Sequence, residues 1–259
     1  MTLWHEFTGM GAWTYASSIA YFSFLSIVPL IAIFVSLISI VGVDEQDAAG
    51  FFAALVPDAF GDFVRGLVGD AFKRSGLAIS LSSLVLLWSA SKGIKALRGA
   101  LNAAYGVKET RSGFAVIGIS IAVVVILGVL IAAVMYLIFG NSVLSITPEI
   151  AYDLQHNTLM IALSPIAVLV VGVLVLGVCY TYLPAGKRRF REQLPGAAIA
   201  AVACGVLSFG FNVYIEHFSN ITVLYGSIAT VALLLIWIYL VSCIIIAGGL
   251  VNRLIQASK

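Results

Sequence analysis

Apolar residues in this chain run in long unbroken windows instead of alternating or recurring on one narrow face. Six stretches contain no Asp, Glu, Lys or Arg: Phe7–Val43, Ser75–Ser91, Ser112–Pro148, Leu154–Gly186, Gln193–Ile215 and His217–Asn252. A helix needs about 20 mostly apolar residues to cross a hydrocarbon core of about 30 Å. Five windows exceed that length, and the second reaches it if Lys92 extends its stem toward the headgroups. The pattern predicts an all-α, polytopic membrane protein: a bundle of six transmembrane helices near residues 13–41, 75–91, 113–140, 158–182, 196–215 and 223–251. No long polar segment stands apart, so residues 1–259 read as a single membrane domain. The first stretch is too long for a signal-peptide core and lacks a basic segment before it, so a retained helix is expected.

Two segments break the pattern of spans. Between the first two windows, Phe51, Phe52, Leu55 and Val56 precede Pro57, and Phe60, Phe63, Val64, Leu67 and Ala71 follow it. Spacings of three and four put these side chains on one face of two short amphipathic helices, with Asp58, Asp62 and Asp70 largely opposite. After the second span, Lys92, Lys95, Arg98 and Asn102 fall within about 120° of one another on a helix, opposite Ile94, Leu97, Leu101 and Ala104. This predicts a basic amphipathic helix along the inner membrane surface, with Lys92, Lys95 and Arg98 contacting lipid headgroups.

Charge fixes orientation. Basic residues collect on cytoplasmic loops, and acidic residues contribute little to that bias. The loop holding Lys92 to Arg111, the loop Pro184–Glu192 and the tail carry 11 of the 14 Lys and Arg residues, while the intervening loops are neutral or acidic. Six spans with both termini in the cytoplasm satisfy this distribution, placing the protein in the cytoplasmic (inner) membrane.

Composition agrees, with 61% hydrophobic and 10% charged residues, against about 25% charged in soluble domains. Cys179, Cys204 and Cys243 lie inside apolar windows and read as packing residues, not a disulfide framework or metal site. His5, His156 and His217 stand at separate window edges, with no second ligand at metal-binding spacing. No nucleophile elbow, phosphate loop or zinc motif occurs. No ionisable residue sits in mid-span, where one would mark an ion path. These absences argue against an enzyme, a cofactor, a bound metal or a nucleic-acid partner.

Within the spans, hydroxyls and conformational breakers concentrate in the first and sixth helices. Tyr21, Ser26 and Pro29 on the first, with Tyr225, Gly226 and Ser227 on the sixth, form a candidate cavity or substrate site. Polar groups in a bilayer need partners or water, so these residues should line a wet pocket or close into a hydrogen-bonded knot. On the fifth helix, Gly196, Ala200, Cys204, Ser208 and Asn212 recur every four residues. Such a stripe lets backbones approach closely and predicts a packed interior helix.

Short motifs in order along the chain resemble the YihY/BrkB family of bacterial and archaeal membrane proteins, also labelled ribonuclease BN-like. They are Ala20-Tyr21-Phe22-Ser23-Phe24-Leu25-Ser26-Ile27-Val28-Pro29, Trp88-Ser89-Ala90-Ser91, Leu101-Asn102, Leu183-Pro184, Gly196-Ala197, Tyr225-Gly226-Ser227 and Trp237-Ile238-Tyr239. The resemblance implies a six-helix protein of the cytoplasmic membrane associated with the cell envelope. The chain departs from the family pattern at Leu250, where members often carry a glutamate, and at Ala185, where a polar residue is common. A longer amino-terminal segment found in relatives is expected to be absent. A ribonuclease would need a metal-binding cluster or an acid–base pair facing the cytoplasm, and the sequence offers neither.

Two functional readings remain. One is a transporter or flippase-like protein for an amphiphilic cell-envelope compound. The other is a non-transporting scaffold that binds lipids or envelope-assembly partners. Membrane lipids are partners in both, and the small-residue stripe also suits a homo-oligomer.

Overall fold

The computed structural model describes residues 3–40, 44–54, 56–73, 76–113, 118, 158–217 and 220–257. The described elements are helical: α1 (Leu3–Gly9), α2 (Ala12–Ile40), α3 (Glu45–Ala54), a single 3-10 turn (Asp58–Phe60), α4 (Gly61–Phe72), α5 (Gly76–Ala104), α6 (Thr158–Tyr182), α7 (Phe190–His217) and α8 (Asn220–Ala257). Three of them are long and apolar enough to cross a membrane, over Ala12–Ala32, Phe190–Ile215 and Ile228–Ala257, and Val168–Tyr182 forms a shorter apolar helix. The span expected near residues 113–140 lies outside the described residues, so a count of six does not follow from them. Contacts divide the chain into two compact units, the first comprising Met1–Ala100 with Cys204–Ile246 and the second Leu101–Ala203 with Ala247–Lys259.

In the first unit, α2 runs unbroken through Pro29. The segment after it forms two short helices interrupted at Val56-Pro57, as its spacing predicts. Proline disfavours helix at the residue before it and supplies no N–H, so the chain turns there. Phe51, Phe52, Val64 and Val68 are buried, while Asp62 and Asp70 face outward. Phe60, on the short turn, is 1% exposed and packs with Phe211 and Leu234. Trp237 adds its ring to Phe60 at 6.4 Å between centroids and donates its indole N–H to Ser208 Oγ at 3.3 Å. Even a half-buried indole N–H is best placed against such an acceptor.

The second span runs directly into the basic segment expected along the inner membrane surface. Together they form α5, a single 29-residue helix. Neither Gly93 nor Gly99 interrupts it, and each faces a side chain of α2. Phe22 lies over Gly93, and a Cβ at Gly99 would stand 2.9 Å from the Tyr15 ring. Lys92 and Lys95 are exposed, whereas Asn102 is 8% exposed and belongs to the interior.

Helix α7 also differs from expectation. On the small stripe Gly196 and Ala200 are buried while Cys204, Ser208 and Asn212 are only half-buried, and off it Gly205 and Gly210 have nothing within 4 Å of where a Cβ would stand. Large apolar residues at alternating spacings of three and four, Ile199, Val202, Val206 and Phe209, are exposed. The helix is therefore close-packed only along part of its small stripe. A span need not bury its apolar face against protein, because lipid tails solvate it equally well.

Candidate functional site

The second unit contains a buried polar cluster built where loops meet helix ends. Tyr105, immediately after α5, donates its hydroxyl to Gln193 Oε1 at 2.6 Å. Asn252, near the end of α8, donates from Nδ2 to the Gln193 carbonyl at 3.0 Å and to the Tyr105 hydroxyl at 3.4 Å. Its Oδ1 accepts the Gly196 N–H at 2.7 Å. Gln193 and Asn252 are both fully buried. Buried amides of this kind are stable only with partners, yet Gln193 Nε2 has none among the described residues.

Glycines make the cluster possible. A Cβ on Gly248 would come within 2.5 Å of the Tyr180 hydroxyl and 2.9 Å of the Gly196 carbonyl. The α7 and α8 backbones therefore touch at Gly196 and Gly248, and that contact brings Asn252 to the α7 main chain. Pro195, just before the crossing, removes one backbone donor inside α7. The next N–H is the one that Asn252 accepts.

A second layer surrounds this cluster. Asn102 Oδ1 accepts the Ala185 N–H at 2.7 Å, and its Nδ2 reaches Glu109 at 3.3 Å. Arg111 pairs with Glu109 at 2.7 Å and donates to the Leu183 carbonyl at 2.8 Å. The guanidinium of Arg188 lies 4.0 Å from the centre of the Tyr105 ring and donates to the Ala185 carbonyl at 2.7 Å. Gly186, at φ 93°, provides the left-handed turn that carries the chain from α6 into this loop.

Electrostatics follow from these contacts. Hydrogen bonds from Arg111 pull the Glu109 carboxyl down from 4.5 to about 2, against a smaller opposing effect of burial. Burial pushes the Tyr105 phenol up to about 12, so it remains a hydrogen-bond donor at any physiological pH. Burial also lowers Arg188, partly offset by the neighbouring Tyr105.

A depressed carboxyl stabilises the fold above its unfolded value and loses that effect as pH falls through its folded value. The stability difference between the unsubstituted protein and Arg111→Ala should therefore be full above about pH 4.5 and shrink toward pH 2. Thermal unfolding in detergent across that range measures it. A difference independent of pH would show that the pair contributes nothing electrostatic.

The residues singled out in the sequence take varied places. Ser26 Oγ donates to the Phe22 carbonyl at 2.7 Å and lies 2.9 Å from Ser89 Oγ, linking α2 to α5 in a hydroxyl knot. Tyr21 is 55% exposed, its ring edge-on to Phe22. Pro29 is buried. Tyr225, Gly226 and Ser227 are helical residues of α8, and their side chains lie outside the described residues. Arg98 is half-buried on α5.

Tyr105, Gln193 and Asn252 carry no motif; Gln193 and Asn252 sit at the edges of uncharged windows and Tyr105 in the basic loop, where they read as boundary residues. The legible signal was Gly248, one helical turn before Asn252: a small residue beside an amide allows an amide to reach a neighbouring backbone.

A sequence model of the family described as virulence factor BrkB matches residues 3–259. The chain belongs to the BrkB family. YfkH of Bacillus subtilis, named as ribonuclease-like, is 28% identical over 252 residues, covering 94% of this chain and 90% of YfkH. A UPF0761 membrane protein of Pseudoalteromonas translucida is 29% identical over 246 residues, covering 90% of this chain and 78% of that protein. Another from Vibrio vulnificus is 28% identical over 243 residues, with 90% and 74% covered. No solved structure matches the chain. The first-helix motif and Leu101-Asn102 thus belong to a BrkB-family protein, as their resemblance implied. At the two departures, Leu250 is fully buried and Ala185 uses its backbone N–H, not a side chain, to bind Asn102.

Proposed function

We propose that this BrkB-family membrane protein is a transporter or flippase-like protein for an amphiphilic cell-envelope compound. In this reading it resides in the cytoplasmic membrane with both termini inside, takes membrane lipid as a partner and performs no covalent chemistry. The observation that carries the reading is the Tyr105–Gln193–Asn252 cluster with its spare donor at Gln193 Nε2. Transport needs two arrangements of similar free energy. A polar network one acceptor short can exchange partners without a net loss of hydrogen bonds, and the close glycine crossing of α7 and α8 leaves little side-chain bulk to oppose sliding.

The scaffold reading draws on the exposed Lys92 and Lys95, which suit a static grip on lipid headgroups. The ribonuclease-like name of one relative draws little support from this sequence: the histidines are scattered, and the two that adjoin an acid, His5 beside Glu6 and His217 beside Glu216, are far apart in the chain.

Flux of a fluorescent short-chain phospholipid in proteoliposomes separates transport from scaffolding. Purified protein should accelerate exchange between leaflets at least about tenfold over protein-free vesicles, equivalent to lowering the barrier by about 1.4 kcal/mol. Rates equal to those of empty vesicles, across zwitterionic and anionic probes, would favour the scaffold.

A further inference from the structure

The first turn of α7 and the end of α8 enclose a groove of about 420 Å³ lined by Arg191, Glu192, Pro195, Ile255 and Gln256. It lies wholly within the second unit and shares no side chain with the Tyr105–Gln193–Asn252 trio. Its lining is chemically divided. Arg191 offers a fork of donors suited to a phosphate, and the adjacent Glu192 offers a carboxylate suited to an ammonium. Neither side chain has an ion-pair partner among the described residues. Gln256 donates its amide to the Glu192 carbonyl at 3.4 Å, joining the two walls. Pro195 and Ile255 supply the apolar part. From Pro195 the exposed surface of α7 continues through Ile199 and Val202, 52% and 50% exposed, at spacings of four and three. An apolar track thus leaves the groove along a helix of membrane-spanning length.

We propose that this groove holds the headgroup of a zwitterionic aminophospholipid. The phosphate diester would pair with Arg191, the primary ammonium with Glu192, and an acyl chain would follow Pro195, Ile199 and Val202. Charge complementarity selects this occupant. An anionic lipid without an amine places its phosphate near the uncompensated Glu192 carboxylate. A choline headgroup carries the positive charge but has no N–H to donate. The site is a lipid-binding site whether or not the protein transports, so failure of the flux assay leaves it standing.

Full-length protein exchanged into mixed micelles with phosphatidylethanolamine, phosphatidylglycerol or phosphatidylcholine, then analysed by native mass spectrometry, tests the assignment. The unsubstituted protein should retain phosphatidylethanolamine about tenfold more than either other lipid, as one selective charge-assisted hydrogen bond allows. Glu192→Gln should erase that preference while leaving overall retention similar. Arg191→Gln should lower retention of all three, because all carry the phosphate. Both side chains are exposed, so the fold should survive, and thermal unfolding checks this. Equal retention of the three lipids by the unsubstituted protein, or a preference for the anionic lipid, would overturn the proposal without reference to any variant. So would a preference that both substitutions leave unchanged.

Discussion

Gly196→Ala should destabilise the protein by about 3 kcal/mol, near the upper end of ordinary overpacking costs, and sharply reduce its accumulation in membranes. The added methyl would collide with the Gly248 carbonyl and with Asn252, which lies 2.5 Å away at Cγ. Backbone cannot rotate aside as a flexible side chain can, so α7 and α8 would have to separate, and the Asn252 bond to the Gly196 N–H would go with them. The same change at Gly205 or Gly210 meets nothing within 4 Å. There it should stabilise by about 0.5–1 kcal/mol, because alanine loses less backbone freedom than glycine on entering a helix. Thermal unfolding in detergent of all three variants provides the comparison. Equal effects at the three positions would mean that the crossing is not close-packed.

This contrast shows what the sequence could reveal. A stripe of small residues every four positions correctly marked α7 as a helix of close approach, but periodicity names a face without saying which part of it is occupied. Contact concentrates at Gly196 and Ala200, while Cys204, Ser208 and Asn212 farther along the same stripe are only half-buried. Helical runs were legible because an apolar window of span length has few other folds available. The break at Pro57 was legible because proline acts locally. The run of α5 into the basic segment was legible too, whereas its direction relative to the membrane was not, because amphipathicity describes a face and carries no mark of where a helix bends.

The polar cluster was hidden for a different reason. Tyr105, Gln193 and Asn252 are uncharged and far apart in the chain, and only the glycine crossing brings them together. Asn102 illustrates the ambiguity most directly. Its angular position matched Lys92, Lys95 and Arg98, but the Pro184–Ala185 turn covers it and converts a surface amide into an interior cap.

Asn252→Leu is expected to cost about 3 kcal/mol as well, for an electrostatic reason. Leucine removes the acceptor of the Gly196 N–H and the donors to the Gln193 carbonyl and the Tyr105 hydroxyl. Each buried group left without a partner costs about 1–3 kcal/mol, and the site is too enclosed for easy hydration, since Asn252 and Gln193 are fully buried. Gln193→Met should behave differently. It removes the Tyr105 contact but also the donor that lacks a partner among the described residues, so the loss should be smaller, about 1 kcal/mol. Unfolding midpoints of the two variants in one detergent test the ordering. A larger loss for Gln193→Met would mean that its amide has an acceptor in solution.

That difference makes Gln193→Met the most useful probe of function, since it disables the proposed moving part while leaving the protein folded. Leaflet exchange of a fluorescent phospholipid in proteoliposomes, normalised to folded protein, should be compared for this variant and for the Tyr21→Phe, Ser26→Ala double variant. The expected result is a loss of about tenfold or more for Gln193→Met, corresponding to at least one transition-state hydrogen bond, with the double variant close to unsubstituted protein. Full activity in Gln193→Met together with loss in the double variant would contradict the assignment and place the working site at the hydroxyls of α2.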